Sequence, residues 1–222
     1  MIEDQNPKTL AVELAELVKN VSANLPPEKF KIFGRMIEEF KGSGVENRAL
    51  KVGAKAPPFR LRSSEGERVS SSDLLTKGPL VVSFYRGGWC PFCSLELRAW
   101  ERHLGDLQAL HAGFVAISPE VAQKGAETAK SKQLSFPVLN DEGFRVCEQF
   151  GLVFKLSPEA IGLHRDFGVD LPAINGGSEW RLPVPATFVV GRDGVIRWAF
   201  VNADYTKRAE PADVLNVLRT MQ

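Results

Sequence analysis

A Cys-x-x-Cys pair that directly follows a buried strand constrains this chain more than any other feature. The apolar run at residues 79–85 is typical of a strand, and the turn Arg86-Gly87-Gly88-Trp89 separates it from Cys90 and Cys93. Apolar residues then recur at helical spacing, at Leu97, Trp100, Leu104 and Leu107. The two cysteines therefore fall on the first turn of a helix, where free backbone N–H groups and the helix dipole favour a thiolate. The sequence predicts a strand–turn–helix unit that activates sulfur.

Strands and helices alternate after this unit. Two apolar runs predict further strands, at residues 114–117 and 136–139. Residues 187–190 and 195–201 flank the turn Gly191-Arg192-Asp193-Gly194, which predicts an antiparallel hairpin before a closing helix at residues 211–221. Parallel units that end in an antiparallel hairpin predict an α/β fold with a mixed central sheet and helices on both faces.

The N-terminal part has a different pattern. Residues 8–24 and 28–41 each place apolar side chains on one helical face, and Pro26-Pro27 separates the two segments. We expect a helical hairpin within residues 1–48, ahead of a main domain at residues 49–222. Its apolar stripe has to be buried against the body of the same chain or against a second copy, which would make a homodimer.

Composition limits the kinds of binding partner and the cellular compartment that the sequence predicts. Lysine plus arginine number 28 and aspartate plus glutamate 27, so no excess charge favours nucleic acid or a membrane surface. The first seven residues are acidic and polar, unlike a signal peptide, and no stretch has the length and apolarity of a membrane span. We expect a cytoplasmic protein. Three cysteines in a reducing compartment suggest catalysis or metal binding rather than a disulfide framework.

Three other interpretations of the cysteine pair have less support. A structural zinc site needs four protein ligands, and the sequence has no second Cys-x-x-Cys or His-x-x-x-His. Covalent haem attachment needs histidine where Ser94 stands. Two inert core cysteines remain an alternative, because free cysteine is often buried. No motif implies a metal or an organic cofactor, since sulfur itself can carry the electrons.

The residues around the cysteine pair resemble those of a known family. Trp89-Cys90-Pro91-Phe92-Cys93 resembles the active sites of thioredoxins and glutaredoxins, and the stretch from Val81 to Leu97 is similar to peroxiredoxins. The resemblance covers about residues 50–222 and is closest to the peroxiredoxin-like branch of the alkyl hydroperoxide reductase and thiol-specific antioxidant (AhpC/TSA) superfamily. It implies a thioredoxin-like fold. It also implies that Pro185, in Val184-Pro185-Ala186-Thr187, is a cis-proline facing the cysteines.

The chain departs from the peroxiredoxin pattern at several positions. The family's Pro-x-x-x-Thr-x-x-Cys places its proline on Arg86, its threonine on Cys90 and its peroxidatic cysteine on Cys93. Peroxiredoxins also carry an arginine just before a strand to position the peroxide, and Pro185 occupies that place here. These departures favour dithiol chemistry.

The resemblance implies a thiol peroxidase that reduces hydrogen peroxide or alkyl hydroperoxides. In that scheme Cys93 attacks the peroxide, Cys90 condenses with the resulting sulfenic acid, and a thioredoxin-like or glutathione-based donor reduces the disulfide. In the alternative scheme, a thioredoxin-like disulfide reductase, Cys90 attacks the substrate disulfide and Cys93 resolves the mixed disulfide. A second alternative is a non-catalytic redox sensor. Arg86, Trp89 and Pro185 are the predicted substrate-positioning residues.

Other candidate residues are interpreted as structural. Cys147 lies between Phe144 and Phe150 on an apolar helical face, which favours core packing. His103 and His111 lie too far along the next helix to act directly on Cys93. Residues 152–182, which contain His164, are rich in glycine and proline and predict an irregular surface excursion. Residues 204–208 predict a solvated polar loop before Pro211.

Overall fold

A computed structural model describes residues 8–222, in which a seven-stranded mixed sheet forms the centre of the molecule. Its strand order is β2-β1-β5-β4-β3-β8-β9, and β6 pairs with β7 in a separate two-stranded sheet. The strands are β1 (Arg60–Ser63), β2 (Arg68–Ser70), β3 (Leu80–Phe84), β4 (Gly113–Ser118), β5 (Val138–Asn140), β6 (Val153–Lys155), β7 (Arg181–Pro183), β8 (Ala186–Val190) and β9 (Ile196–Val201). Strand β3 runs parallel to β4 and antiparallel to β8, so the predicted mixed sheet is confirmed.

Helices cover both faces of this sheet. The helices are α1 (Leu10–Asn24), α2 (Pro27–Gly42), α3 (Val45–Arg48), α4 (Ser71–Lys77), α5 (Pro91–Arg102), α6 (Leu104–Ala109), α7 (Ala122–Ser131), α8 (Arg145–Gln149), α9 (Pro158–Asp166), α10 (Leu171–Asn175) and α11 (Pro211–Arg219). No helix within residues 8–222 is both long enough and apolar enough to cross a membrane. The polar N-terminal seven residues, on which the absence of a signal peptide was predicted, lie outside the described part of the chain.

Strand β3 divides the core into two halves. All five of its residues are buried, and successive side chains point to opposite faces of the sheet. Val81 joins the core that contains Cys90 and Cys93, whereas Val82 joins a second core on the opposite face. Because β3 ends at Phe84 between β4 and β8, the loop that follows it emerges at the middle of the sheet.

The N-terminal hairpin, α1 and α2, packs on the same chain. Helix α1 lies against α5, and α2 lies against α9. Leu10, Met36 and Phe40 are each at most 2% exposed and belong to the core that contains the cysteine pair. The hairpin therefore buries its apolar stripe against the body of the chain, and the homodimer remains a prediction.

Two carboxylates join the N-terminal region to the segment that follows β9. Glu46 of α3 accepts a hydrogen bond from the backbone nitrogen of Ala203 at 2.6 Å. Glu210 accepts hydrogen bonds from the backbone nitrogens of Leu10 and Ala11, at 3.1 and 3.0 Å. These N–H groups lie in the first turn of α1 and have no partner within the helix, so Glu210 caps the hairpin. Residues 203–210 are thus attached at both ends to the N-terminal region.

The prediction of an irregular excursion at residues 152–182 is wrong. This segment contains β6, α9, α10 and β7. Pro158 occupies the first position of α9, where a missing N–H costs nothing, and Gly168 and Gly176 adopt positive φ just beyond the two helices. The prolines and glycines therefore begin and end short helices, a use that composition alone does not distinguish from a loop.

Candidate active site

The two cysteines occupy the start of α5, as the sequence predicted. Cys90 is the N-cap, with φ −85° and ψ 116°, and Pro91 is the first helical residue. The Cys90 Sγ accepts a hydrogen bond from the Cys93 backbone nitrogen at 3.4 Å, which satisfies one of the free N–H groups of the helix. Both side chains are fully buried.

Arg86 lies against the first sulfur. Its Nη2 donates to the Cys90 Sγ at 3.0 Å, and the residue is only 4% exposed. The guanidinium carbon lies 5.1 Å from the Trp89 ring centre and 4.2 Å from that of Tyr205, so the cation packs between two aromatic rings. Its Nε has no hydrogen-bond partner among the described residues. Arg86 therefore supplies the Cys90 sulfur with a positive charge that no carboxylate of residues 8–222 neutralises.

A second arginine lies against the other sulfur. Arg208 donates from Nη2 to the Cys93 Sγ at 3.3 Å and from Nε to a Glu96 carboxylate oxygen at 2.5 Å. The side chains of Arg208 and Glu96 are 1% and 0% exposed. Glu96 also accepts hydrogen bonds from the hydroxyls of Ser83 and Thr187, both at 3.4 Å. The charge beside Cys93 is thus shared with a buried carboxylate, unlike the charge beside Cys90.

The contacts distinguish the two thiols electrostatically. Burial opposes ionisation of Cys90, yet a hydrogen bond from the Cys93 side chain and the charges of Arg86 and Arg208 hold the Cys90 pKa well below its ordinary value. Burial, followed by the hydrogen bond to Cys90 and the charge on that sulfur, raises the pKa of Cys93 well above its ordinary value. The geometry therefore favours a thiolate at Cys90 and a thiol at Cys93.

Burial also raises the pKa of Glu96 to about 7, against the opposing effect of Arg208. The Glu96 carboxyl therefore gains and loses its proton close to neutral pH, within the group that includes Cys93.

Glu120 fixes the loop between β3 and α5. Its carboxylate accepts hydrogen bonds from the Gly88 backbone nitrogen at 2.9 Å and from the Tyr85 hydroxyl at 3.2 Å. A Cβ atom at Gly88 would lie 2.0 Å from the Thr128 hydroxyl oxygen, and one at Gly87, where φ is +152°, would lie 2.3 Å from the Trp89 ring nitrogen. A side chain at either position would force Thr128 or Trp89 to move, so the two glycines permit this tight loop.

An apolar cavity of about 260 Å³ opens beside Arg86. Trp89 and Phe92 line it from the active-site segment, while other walls come from the hairpin and from α9. His164 of α9 also lines it, 6% exposed, with its ring centre 5.4 Å from that of Trp89. Burial, with a smaller effect of the Arg86 charge, lowers the pKa of His164 to about 4, so the imidazole is neutral at physiological pH.

The structure brings four of the five predicted site residues together, namely Arg86, Trp89, Cys90 and Cys93. Pro185 lies immediately before β8, whose Ala186 pairs with Phe84 at the end of β3, so it occupies the edge of the sheet from which the active-site loop emerges. The expected cis bond is not present, because the Val184–Pro185 peptide is trans. No hydrogen bond links Pro185 to either sulfur in the described structure, and its role in positioning substrate remains a prediction.

Several residues of the site were missed or misinterpreted from the sequence. Residues 204–208 do not form a solvated loop, because Tyr205 and Arg208 are buried, Tyr205 against Arg86 and Arg208 against Cys93. Of the missed residues, Glu96 could have been found from its spacing, because it lies three residues after Cys93 and so on the same helical face. No local sequence pattern pointed to Arg208, because it lies 115 residues from Cys93 in the sequence.

Cys147 lies apart from the pair. It is fully buried in the second core, with Phe144 and Phe150, on the opposite face of the sheet from Cys90 and Cys93. Burial and the nearby Asp141 raise its pKa well above the ordinary value. The predicted core packing of Cys147 is confirmed.

Comparison with known proteins identifies related sequences. A family model described as the AhpC/TSA family matches residues 52–199. Peroxiredoxin Bcp of Escherichia coli K12 is 32% identical over 103 residues, which are 46% of this chain and 65% of that protein. A putative peroxiredoxin bcp of Helicobacter pylori is 29% identical over 153 residues, 69% of this chain and 89% of that protein. The chain thus spans just under two thirds of the E. coli relative.

Solved structures share the fold. Peroxidoxin BcpB from Mycobacterium tuberculosis matches with a TM-score of 0.62 and 23% identity, over 78% of this chain and 99% of the other. A second match is the bacterioferritin comigratory protein of Xanthomonas campestris, solved in a study of its alkyl peroxide reduction activity. It matches with a TM-score of 0.56 and 16% identity, over 73% of this chain and 91% of the other. At these identities the likeness establishes a common thioredoxin-like architecture. The hairpin and Arg208 lie outside the residues that the family model matches.

Proposed function

Because this chain belongs to the AhpC/TSA family, we propose that it is a thiol-based peroxidase that reduces hydrogen peroxide or alkyl hydroperoxides through a Cys90–Cys93 dithiol and disulfide cycle. The observation that carries the proposal is the pairing of each buried sulfur with a buried guanidinium, Arg86 on Cys90 and Arg208 on Cys93. Such donors stabilise a thiolate before the reaction and an oxyanion as the O–O bond breaks.

The contacts favour Cys90 as the attacking sulfur. It is the N-cap of α5, accepts the Cys93 N–H, and faces Arg86, whose charge no ion pair in residues 8–222 offsets. The guanidinium on Cys93 is shared with Glu96 instead. The family pattern alone places the peroxidatic role on Cys93, and that assignment remains an untested alternative.

The proposed cycle has two steps. The Cys90 thiolate attacks the terminal peroxide oxygen, the O–O bond breaks, and the other oxygen takes up a proton and leaves as water or an alcohol. The Cys93 sulfur then attacks the Cys90 sulfenic acid, forming the disulfide and releasing water. Once Cys90 no longer carries a negative charge, two causes of the raised Cys93 pKa disappear, which prepares Cys93 for the second step. A thioredoxin-type donor then reduces the disulfide with two electrons.

The alternatives from the sequence have less support. A reductase of protein disulfides needs a sulfur that a second protein can reach, whereas both sulfurs here are 0% exposed. A small peroxide needs far less access than a second protein does. Among residues 8–222 no hydrogen bond joins α1 or α2 to either sulfur, so no such contact favours the redox-sensor hypothesis.

Rapid mixing of the fully reduced protein with hydrogen peroxide tests the proposal. We expect both thiols to be lost much faster than free cysteine reacts, with one intramolecular disulfide as the product in mass spectra. A rate no faster than that of free cysteine, alongside rapid exchange with a small disulfide, would contradict the peroxidase and favour the reductase.

Two matched variants assign the roles. In Cys93→Ser, we expect a sulfenic acid to accumulate on Cys90 and to react with a dimedone probe. In Cys90→Ser, we expect a slower reaction at Cys93, because burial still raises the pKa of this thiol and the Arg208 guanidinium beside it is shared with Glu96. The reverse pattern would show that Cys93 attacks the peroxide, as the family pattern implies, and would contradict the assignment from local electrostatics.

A further inference from the structure

The Arg86 guanidinium has few polar partners for a buried charge. Its one hydrogen bond in the described structure goes from Nη2 to the Cys90 Sγ, at 3.0 Å, and its Nε has no partner there. A buried charge is ordinarily held by a paired carboxylate or by several hydrogen bonds. Arg86 has neither within residues 8–222, so hydrogen bonds alone do not fix the orientation of its guanidinium.

Arg208, beside the other sulfur, is held in a different way. It donates hydrogen bonds to the Glu96 carboxylate, to the Cys93 sulfur and to the backbone carbonyl oxygen of Tyr205. Acceptors on several sides of a guanidinium fix its orientation. The two arginines therefore need different supports, and that of Arg86 has to come from a group other than an acceptor.

The Tyr205 ring provides this support. The Arg86 guanidinium carbon lies 4.2 Å from the centre of this ring, closer than the 5.1 Å that separates it from the centre of the Trp89 ring. A guanidinium stacks well on an aromatic face, and the attraction is stronger where water is excluded. Tyr205 is 2% exposed and Arg86 is 4% exposed, so little water reaches this contact.

Three phenylalanine rings hold Tyr205 in its place. Phe92, which lies between the two cysteines in the sequence, has its ring centre 6.0 Å from that of Tyr205 and meets it edge to face. Phe40 makes a similar contact at 5.9 Å, and Phe33 lies at 6.4 Å. Because these side chains come from α5 and α2, the Tyr205 ring is fixed against both the active-site helix and the hairpin.

We propose that Tyr205 is a positioning residue for the reaction of Cys90, and that its ring holds the Arg86 guanidinium against the Cys90 sulfur by a cation–π contact. The inference rests on the proposed function, in which Cys90 is the attacking sulfur. Tyr205 makes no hydrogen bond to either sulfur in the described structure, so it acts through Arg86. Burial raises the pKa of Tyr205, so its hydroxyl is uncharged near neutral pH and adds no charge beside the guanidinium.

Titration of the Cys90 thiol tests the proposal without any peroxide. In a Cys93→Ser, Cys147→Ser background, the ultraviolet absorbance of the thiolate reports on Cys90. Tyr205→Leu removes the ring but keeps the backbone carbonyl that accepts from Arg208. We expect the Cys90 pKa to rise by about 0.5–1 and the alkylation rate below that pH to fall about three- to tenfold. Tyr205→Phe, which keeps the ring, should keep the Cys90 pKa close to that of the wild type.

Two controls separate this role from a general loosening of the core. Phe154→Leu removes a buried ring of the same core that does not lie on Arg86, so it should lower the melting temperature and leave the Cys90 pKa unchanged. With Arg86→Met already present, Tyr205→Leu should not change the Cys90 pKa further, because the group that the ring positions is gone. If thermal melting shows that Tyr205→Leu is unfolded, Tyr205→Met replaces it, since a flexible methionine fills irregular space.

The outcomes separate this inference from the proposed function. An unchanged Cys90 pKa in Tyr205→Leu, or an equal rise in the Arg86→Met background, would overturn the role of the ring and leave the peroxidase intact. An equal rise in Tyr205→Phe would assign the effect to the hydroxyl and would also overturn it. The expected pattern, together with a wild-type reaction with hydrogen peroxide no faster than that of free cysteine, would support the positioning of Arg86 and overturn the peroxidase.

Discussion

Replacing Arg86 by methionine should raise the pKa of Cys90 and slow its oxidation near neutral pH. Methionine keeps an unbranched side chain between Trp89 and Tyr205 but removes the donor that lies 3.0 Å from the sulfur. A hydrogen bond to a charged group contributes about 1.5–3 kcal/mol. At about 1.4 kcal/mol for each tenfold change in ionisation, the Cys90 pKa should rise by about one to two. The Coulomb energy of two unit charges at this distance would be larger, about 5.5 kcal/mol at an effective dielectric constant of 20, and is an upper bound.

The assay for this prediction is the ultraviolet absorbance of the thiolate as a function of pH in a Cys93→Ser, Cys147→Ser background, with and without Arg86→Met. Arg98→Met is the control, because Arg98 is exposed on the same helix and contacts neither sulfur in the described structure. The rate of alkylation should rise through the same pKa, since only the thiolate reacts. An unchanged Cys90 pKa in Arg86→Met would refute the argument that this guanidinium stabilises the thiolate.

Three further changes test other parts of the site. Gly88→Ala should lower the free energy of unfolding by about 1–3 kcal/mol, because the new Cβ would lie 2.0 Å from the Thr128 hydroxyl oxygen. Urea denaturation measures this change, and an unchanged free energy of unfolding would show that the loop relaxes around the methyl group. Glu96, with a pKa raised to about 7, should make the folded state less stable as pH rises from about 4.5 to 7, by on the order of 3 kcal/mol. In Glu96→Gln, the free energy of unfolding measured by denaturation should fall less across this pH range. A fall equal to that of the wild type would assign the effect to other groups. Cys147→Ala should keep the hydrogen peroxide rate constant within about twofold, since the sheet separates Cys147 from the pair; loss of disulfide formation would contradict its structural role.

The strand–turn–helix unit was predictable because its determinants are local. An apolar strand, two glycines and a proline after Cys90 each act on neighbouring residues, and the structure places them within one residue of the expected boundaries. Strands β4, β5, β8 and β9 were predictable from their apolar runs for the same reason. The family comparison then agreed with the motif-based resemblance over residues 52–199.

The second arginine and the cavity could not be predicted in this way. Arg208 reaches Cys93 across 115 residues, and its polar neighbours are equally typical of an exposed loop. His164 and Phe167 come from a glycine- and proline-rich segment, and the short helix α9 in it packs against α2 of the hairpin. Tertiary contacts, which a single sequence does not contain, determine these positions.

The attachment of residues 203–210 to the N-terminal region has an evolutionary consequence. Glu46 and Glu210 fasten the ends of the segment that carries Tyr205 and Arg208. A lineage that lost the hairpin would lose the attachment at Glu210, and only Glu46 of α3 and the contact with Glu96 would then hold the Arg208 segment in place. We therefore expect the hairpin and this arginine to occur together among homologous chains more often than either occurs alone.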